Sequence, residues 1–459
     1  MSYQTAVSRM YALGHELTQT PSHKFDLAHM RVLLSALDNP ERRFPGVLIA
    51  GTNGKGSTAA TLASILQVSG LRVGLYTSPH LVRINERIRI NGEPISDDDF
   101  ALLHDVVDRT AERLVSEGEL FSHPSFFEML TAMAFEYFAQ KKVEIAVLEV
   151  GMGGRLDATN VIEPRVSVIT DISLDHQKFL GDTVTEIARE KVGIIRAGGV
   201  VVTLPQQPQA NDVIGNTILE LGAKGVSAVP YVPPVSPASA QYFGSSAELK
   251  SKVSQPISHS LASRYPMQFM GKEIVVETPL VGRHQFRNIA LAMATAEELN
   301  KQGFPVTPDS TERGIRETRW PGRFQVIAAR DGSAEYVLDV AHNPAGAWAL
   351  RSTLSTAYED RRLIFVFGAM RDKAIAEIAE ILFPLAERVI ATQADNPRSA
   401  TAEEIREAAA RISTEIENAP DVPAALARAR NLAAPNSMVV ITGSIYIVGE
   451  AMRALGVEV

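Results

Sequence analysis

The chain has 459 residues, with 45 Lys and Arg against 53 Asp and Glu for a net charge of −8, a hydrophobic fraction of 45% and no cysteine. Without cysteine there are no disulfides, thiol nucleophiles, thiolate zinc sites or cysteinyl iron–sulfur clusters; a metal would be held by oxygen or imidazole, which favours a hard cation such as Mg²⁺. An isoelectric point near 5.8 leaves no basic surplus for a general nucleic-acid binder, although a small anion can still enter a locally positive cleft.

Length alone suggests about three domains of roughly 150 residues, or two larger α/β domains. Met1 to Leu17 lacks the basic start and apolar block of a secretion signal. No apolar run approaches the roughly 18 residues of a membrane span, so a cytoplasmic protein with no membrane partner is expected. Val47 to Ala50 is a short apolar run ending in Gly51, and Ser57 to Ser69 turns helical, with Leu62, Ile65 and Leu66 on one face and Gly70 suited to the C′ position. Leu71 to Tyr76 then completes a βαβ unit. Val143 to Val150, Val166 to Thr170 and Val200 to Leu204 are further strands, with helices over Phe127 to Gln140 and Thr185 to Arg196. This alternation implies a largely parallel sheet covered by helices.

From Val226 to Ser263 the chain is rich in Pro and Ser and reads as an irregular insertion or a meander of short strands. Helical sequence resumes from Asn288 to Lys301, and Gly303, Pro305 and Pro308 mark an interdomain linker. A second α/β series follows. Its strands fall at Tyr336 to Val340, Leu363 to Phe367, Val389 to Thr392 and Met438 to Thr442; its helices fall at Ala345 to Thr353, Ala374 to Leu382, Ala402 to Ala410 and Ile445 to Leu455. The fold class is α/β: a phosphate-loop ATPase domain with a mostly parallel sheet, plus a smaller Rossmann-like C-terminal domain.

The strongest local signal is the run Gly51, Thr52, Asn53, Gly54, Lys55, Gly56, Ser57, Thr58, which follows a strand and opens a helix. Glycines let backbone N–H groups converge on phosphate oxygens, and the helix N-terminus adds partial positive charge. Lys55 would reach the β/γ-phosphates, and Ser57 and Thr58 offer hydroxyls near magnesium. Gly56 separates Lys55 from Ser57, so the strict phosphate-loop spacing is not met. Glu149, at a strand's C-terminal end in Leu148 to Asp157, could ligate Mg²⁺ there. His176, past the strand ending at Thr170, is either a ligand or a satisfied structural histidine. Lys191 by residue type alone is a solvated surface lysine. In the second series Asp339, His342 and Asn343 sit at a strand end, where Asp339 could accept ribose hydroxyls and His342 lie close to phosphate, or the segment could be a simple helix start. Arg323, just past the linker, could be brought onto a phosphate by domain closure, or lie on the surface.

Taken together, the segments resemble the folylpolyglutamate synthase/dihydrofolate synthase family of the Mur ligase superfamily. The resemblance rests on GTNGKGS at Gly51, TSPHL at Thr77, LEVGMGGRLDATN at Leu148, SLDH at Ser173, REKVGIIR at Arg189, GRHQFRN at Gly282, PGRF at Pro321, LDVAHNP at Leu338 and FGAMRDK at Phe367, in that order. It implies an ATP-binding central domain of the Mur-ligase type over residues 1–303 and a C-terminal glutamate-ligase domain over residues 304–459. It implies Ser78, Glu149 and His176 as magnesium ligands, with Lys191 carbamylated to help hold a second Mg²⁺. It further implies Asn288 on the adenine side of ATP, Asp339 on the ribose, and Arg323 and His342 at the phosphates. Ser125, Phe127, Asp157 and Ala158 would bind the pterin. Lys55, His176, Lys191, Arg323 and His342 would form the catalytic set. The stretch from Ala223 to Tyr265 finds no counterpart in the family pattern.

The implied reaction joins L-glutamate to dihydropteroate or to the γ-carboxylate of a reduced folate through an acyl phosphate, with ATP and two Mg²⁺ as cofactors, in a monomer without nucleic-acid partners. Two other readings stand beside it. One is a Mur-type amide ligase with a different carboxylate acceptor. The other is a nucleotide-dependent switch or scaffold, which would have no use for Arg323 and His342 aimed at the nucleotide.

Overall fold

The computed structural model describes residues 1–14, 27–234, 263–328, 334–434 and 436–459. Its contacts divide the chain into two compact units: Met1–Val232 with Gln268–Ile274 and Arg287–Ile315, and Pro233–Met267 with Val275–Phe286 and Arg316–Val459. Most of the Pro/Ser-rich stretch lies outside the described residues. Among the described residues, no helix is long and apolar enough to cross a membrane.

The first unit is built on strands β1 (Gly46–Ala50), β2 (Val73–Tyr76), β3 (Ile88–Ile90), β4 (Glu93–Pro94), β5 (Ile145–Glu149), β6 (Pro164–Ile169), β7 (Val200–Thr203) and β8 (Lys224–Ser227). They lie in the order β4-β3-β2-β5-β1-β6-β7-β8. The β2/β3 and β3/β4 pairs are antiparallel, and the rest of the sheet, from β2 to β8, is parallel. Every residue of β1, β2 and β5 is buried, as befits parallel strands covered on both faces. Register sets Ile49 level with Glu149 and Ala50 level with Ile169, so the loops that follow β1, β5 and β6 leave the same edge of the sheet.

The surrounding helices start where their sequences offer caps. Ser96 accepts the Asp99 N–H at 3.0 Å at the head of Asp97–Ser116, whose first turn carries Asp97, Asp98 and Asp99, a charge placement that complements the helix dipole. Thr183 and Glu186 form a reciprocal capping box on Val184–Lys191. A continuous core links Met10, Leu33, Leu48, Tyr76, Phe135, Phe138 and Leu148.

The punctuated stretch after Gly303 is not wholly linker. Pro308 opens a helix, Pro308–Arg316, as proline is preorganised to do at the first helical position. That helix lies on Lys55–Val68, where Ser64 Oγ donates to the Gly314 carbonyl at 2.6 Å. A two-stranded ribbon of β9 (Ser263–Phe269) and β10 (Lys272–Thr278) precedes the helix Arg283–Lys301 in sequence.

The second unit carries β11 (Gln325–Ile327), β12 (Glu335–Leu338), β13 (Arg362–Phe367), β14 (Arg388–Ala391), β15 (Ile416–Asn418) and β16 (Ser437–Thr442), ordered β11-β12-β16-β13-β14-β15. All pairs but β11/β12 are parallel. Its core gathers Val337, Phe365, Phe367, Ile378, Leu382, Phe383, Val389 and Val440.

Gly314 yields a stability prediction. A Cβ there would stand 2.4 Å from Ile65 Cα and 2.8 Å from Ile65 N, backbone atoms that cannot rotate aside. Gly314→Ala should destabilise the protein by about 1–3 kcal/mol, in the range of overpacked cores, as measured by urea unfolding; a midpoint equal to wild type would contradict the packing.

Candidate active site

The carboxyl ends of β2, β5, β1 and β6 stand side by side, the edge where parallel α/β sheets present ligands. After β1 the chain turns at Gly51 and enters Lys55–Val68 through Gly54, whose φ is +87°. A Cβ on Gly51 would fall 1.8 Å from Thr170 Oγ1, and one on Gly54 2.2 Å from Asn288 Oδ1. The intervening N–H groups of Thr52 and Asn53 both donate to the Asp171 carbonyl, at 2.8 and 3.1 Å. Ser57 and Thr58 are buried in the first helical turn, and among the described residues Thr58 Oγ1 has no hydrogen-bond partner. A glycine cradle, a helix N-terminus and an orphaned hydroxyl fit a phosphate group.

Two lysines meet at this loop. Lys55 Nζ folds back to donate to the carbonyls of Gly51 at 3.2 Å and Thr52 at 3.3 Å. Lys191, the last residue of Val184–Lys191, donates to the same Gly51 carbonyl at 2.7 Å. Lys191 is 4% exposed, contrary to what its residue type alone suggests. Burial, with the charge of Lys55, pushes its amine down from 10.5 to about 7, while Asp175 and Asp157 pull the other way. A buried amine with a substantial neutral fraction near pH 7 fits the chemistry of carbamylation.

Of the implied metal ligands, Ser78 and Glu149 stand together: the Ser78 N–H donates to Glu149 Oε2 at 3.2 Å, and Glu149 is 5% exposed. The loop carrying Ser78 is held by Glu86, whose carboxylate accepts the N–H groups of Leu81 and Val82 at 2.8 Å each. His176 has φ +51° at the head of the short helix Gln177–Leu180, with Asp175 beside it. Among the described residues, no three His, Asp or Glu side chains form a ready-made metal centre. The donor set at hand, a carboxylate, a hydroxyl and an imidazole, fits Mg²⁺ only if a phosphate, waters or a carbamate complete it.

The pterin candidates share the adjoining loop. Phe127 packs on Gly151, where a Cβ would come within 2.6 Å of its ring, and tilts against Tyr76 with ring centroids 5.9 Å apart. Ser125 caps Phe126–Gln140 in a box with Glu128, so its hydroxyl already serves the helix. The Asp157 carboxylate is buried and accepts from Met152 N and Thr159 N, each at 3.0 Å, and from Thr159 Oγ1 at 2.5 Å. Burial pushes this carboxyl up against those hydrogen bonds. Ala158 follows it, also buried.

Sequence reasoning missed how this loop is tied to Lys191. Arg155 N donates to the Glu190 carbonyl at 2.8 Å, and Asn160 Nδ2 bridges the carbonyls of Arg155 at 3.1 Å and Gly193 at 3.0 Å. Gly154 lies so close that a Cβ would stand 2.9 Å from the Lys191 carbonyl oxygen. The motifs beginning at Leu148 and Arg189 are therefore one packed unit. The available signal was their joint supply of small residues and Asn160.

In the second unit Asp339 follows β12 and accepts the N–H groups of Phe324 and Ala341, each at 2.9 Å. Burial raises its carboxyl above the usual range, against the charge of Arg323. His342 Nδ1 lies 2.9 Å from the Val340 carbonyl, which places the proton on Nδ1. Arg323 lies over the Trp320 ring, 5.9 Å from its centroid. Asn343 caps Pro344–Ala357 by accepting the Gly346 N–H at 2.8 Å. Arg323, Asp339 and His342 are thus gathered within one unit, and Lys55, Lys191, Ser78, Glu149 and Asn288 within the other.

A phosphate-loop unit with a mixed, mainly parallel sheet, followed by a second parallel α/β unit, defines an ATP-dependent ligase of the Mur type. Residues 49–296 match the Mur ligase middle domain and residues 322–445 the Mur ligase glutamate ligase domain. The dihydrofolate synthase/folylpolyglutamate synthase of Bacillus subtilis is 33% identical over 94% of this chain and 94% of its own. The folylpolyglutamate synthase of Lacticaseibacillus casei is 34% identical over 99% of both. The structure of Mycobacterium tuberculosis folylpolyglutamate synthase complexed with ADP and AMPPCP superposes with a TM-score of 0.85 at 30% identity, covering 99% of each chain. The chain belongs to the folylpolyglutamate synthase/dihydrofolate synthase family.

The cradle makes a direct prediction. Gly54→Ala would press a Cβ onto the Asn288 amide at a left-handed φ, so it should weaken ATP binding by about tenfold or more while the fold is retained. A fluorescence titration with a labelled ATP analogue, beside a circular dichroism spectrum, checks it; wild-type affinity would contradict the geometry.

Proposed function

We propose that the chain uses ATP to join L-glutamate to dihydropteroate, to the γ-carboxylate of a reduced folate, or to both, releasing ADP and phosphate. The observation that carries this reading is the convergence of Lys55 and Lys191 on the Gly51 carbonyl of the phosphate loop, with the family membership supplying the substrate class.

A carboxylate resists attack by an amine because it has no competent leaving group. Phosphorylation of the acceptor carboxylate by ATP gives an acyl phosphate, from which phosphate departs when the glutamate amine attacks. Lys55 would balance charge on the transferring phosphoryl group. The N–H groups at the helix N-terminus, beyond Thr52 and Asn53, would orient the polyphosphate. Ser78, Glu149, His176 and a carbamylated Lys191 would hold Mg²⁺, which supplies charge neutralisation at the phosphates. Arg323 and His342 are proposed for the phosphates and Asp339 for the ribose, on their motifs and their gathering in the second unit. Phe127, Asp157 and Ala158 are proposed to take the pterin, with Ser125 beside them.

Carbamylation follows from the burial of Lys191. Its neutral amine would attack CO₂, form an N–C bond and release a proton, leaving a carboxylate. A cation repelled by Lys55 becomes an anion attracted to it. Because the amine titrates near 7, the neutral, reactive form grows as pH rises through that value and is lost below it. With carbon-13-labelled bicarbonate, a carbamate resonance should appear, strengthen from pH 6 to pH 8 (on the order of one pKa unit either side of the midpoint) and vanish in Lys191→Met. Its absence at both pH values would remove this role.

The decisive assay is ADP release with dihydropteroate, tetrahydrofolate or a UDP-muramoyl acceptor, each with L-glutamate. Turnover is expected with a folate-type acceptor and to be lost by on the order of 10³-fold or more in Lys55→Ala. Turnover only with the UDP-muramoyl acceptor would assign another carboxylate substrate. ATP hydrolysis indifferent to any amino acid would exclude ligation.

A further inference from the structure

The nucleotide cradle has a third wall that neither the phosphate-loop pattern nor the family roles include. Asp171 follows β6 and is bonded through both its main chain and its side chain. Its carbonyl accepts Thr52 N and Asn53 N, and Asn53 and Asp171 pair as a short antiparallel bridge. Its carboxylate takes the guanidinium fork of Arg287: Nε at 3.1 Å from both oxygens and one terminal nitrogen at 2.5 Å from Oδ1. That terminal nitrogen also donates to the Pro205 carbonyl at 2.9 Å. Arg287 immediately precedes Asn288 in the first turns of the helix Arg283–Lys301, and Asn288 Oδ1 occupies the space beside Gly54.

The neighbouring bonds run the same way. Thr52 Oγ1 donates to the Ser173 carbonyl at 3.0 Å, and Asn53 Nδ2 donates to Ser173 Oγ at 3.1 Å. Gln206 Oε1 accepts the Ile172 N–H at 3.0 Å, while its Nε2 donates to the Thr170 carbonyl at 3.1 Å. The segment from Thr170 to Ser173 is thus stitched to the phosphate loop on one side and to Arg287 and Gln206 on the other.

We propose that the Arg287–Asp171 pair is a positioning clamp for nucleotide: it fixes the helix bearing Asn288 to the phosphate loop, so that the groups meeting the two ends of ATP keep one spacing. This rests on ATP occupying the phosphate loop with its adenine end towards Asn288. The pair's side chains are 31% and 38% exposed, and ion pairs that open to solvent contribute little to stability. A bidentate arginine fork does, however, fix direction as well as distance. Losing it frees the helix end to shift while leaving the sheet and core intact. The consequence falls on ATP and spares the acceptor and glutamate.

The test is a titration of the full chain with a fluorescent ATP analogue and Mg²⁺, paired with steady-state kinetics and melting of the nucleotide-free protein. Arg287→Met and Asp171→Asn should each raise the Kd and the KM for ATP by about five- to tenfold, with the KM values for acceptor and glutamate and the melting temperature unchanged. The double variant should be no worse than either single, because one interaction is removed once. Arg287→Lys, which keeps the charge and loses the fork, should fall between. Wild-type ATP affinity in both single variants, additive losses in the double, or equal rises in all three KM values would each overturn the clamp. Lys55→Ala in the same titration separates the two layers. Undiminished nucleotide binding in that variant would remove the phosphate-loop reading itself, whereas failure confined to the Arg287 and Asp171 variants would remove only the clamp.

Discussion

One carbonyl oxygen, that of Gly51, receives the side chains of both Lys55 and Lys191. Two ammonium groups cannot share a buried acceptor without cost, because low dielectric magnifies their repulsion as well as each attraction. The protein relieves this by setting one lysine deep enough to give up its proton near neutrality, while the other stays at the mouth of the phosphate loop, half-buried. The arrangement only works if the loop, the helix end bearing Lys191 and the strand ends are rigid with respect to one another. Much of the first unit serves that rigidity.

It is achieved largely by backbone against backbone. Gly154 lies on the carbonyls of Glu190 and Lys191, and Gly193 lies on Arg155, where a Cβ would come within 2.5 Å of its Cα. Asn160 then closes the contact by bonding to both segments. Contacts of this kind leave no room for side chains between the two backbones, and so hold the Lys191 main chain in place. The second unit shows the same economy on a smaller scale: the Asp339 carboxylate accepts from both the turn at Phe324 and the turn at Ala341.

Much of this was legible in the sequence. Val47 to Ala50, Val143 to Val150 and Val166 to Thr170 read as strands because buried parallel strands are continuous apolar runs, and the structure places β1, β5 and β6 there. The helices Asp97–Ser116, Pro208–Glu220 and Val422–Leu432 lie outside the elements expected from the sequence, although Ser96, Pro208 and Asp421 mark their starts. Pro308 has the look of punctuation in the sequence, yet it opens a helix. Lys191 shows the limit best. Nothing in Glu190-Lys-Val-Gly distinguishes a solvated lysine from a buried one; its burial comes from residues more than thirty positions upstream and from Gly51. Residue type reports what a side chain prefers, and only tertiary contact or kinship reports where it is put. Arg287 was invisible for the same reason, since its partner Asp171 lies far away in the chain.

The meeting of Gly54 with Asn288 has a consequence for how such sequences drift. The amide fills the volume that any side chain at position 54 would need, 2.2 Å from the Cβ position. A change at 54 therefore demands a smaller residue at 288, which would strip the helix of its contact with the loop. A change at 288 to anything bulkier meets the loop backbone. Positions separated by more than two hundred residues are thus sterically coupled, and altering either alone should damage the nucleotide cradle.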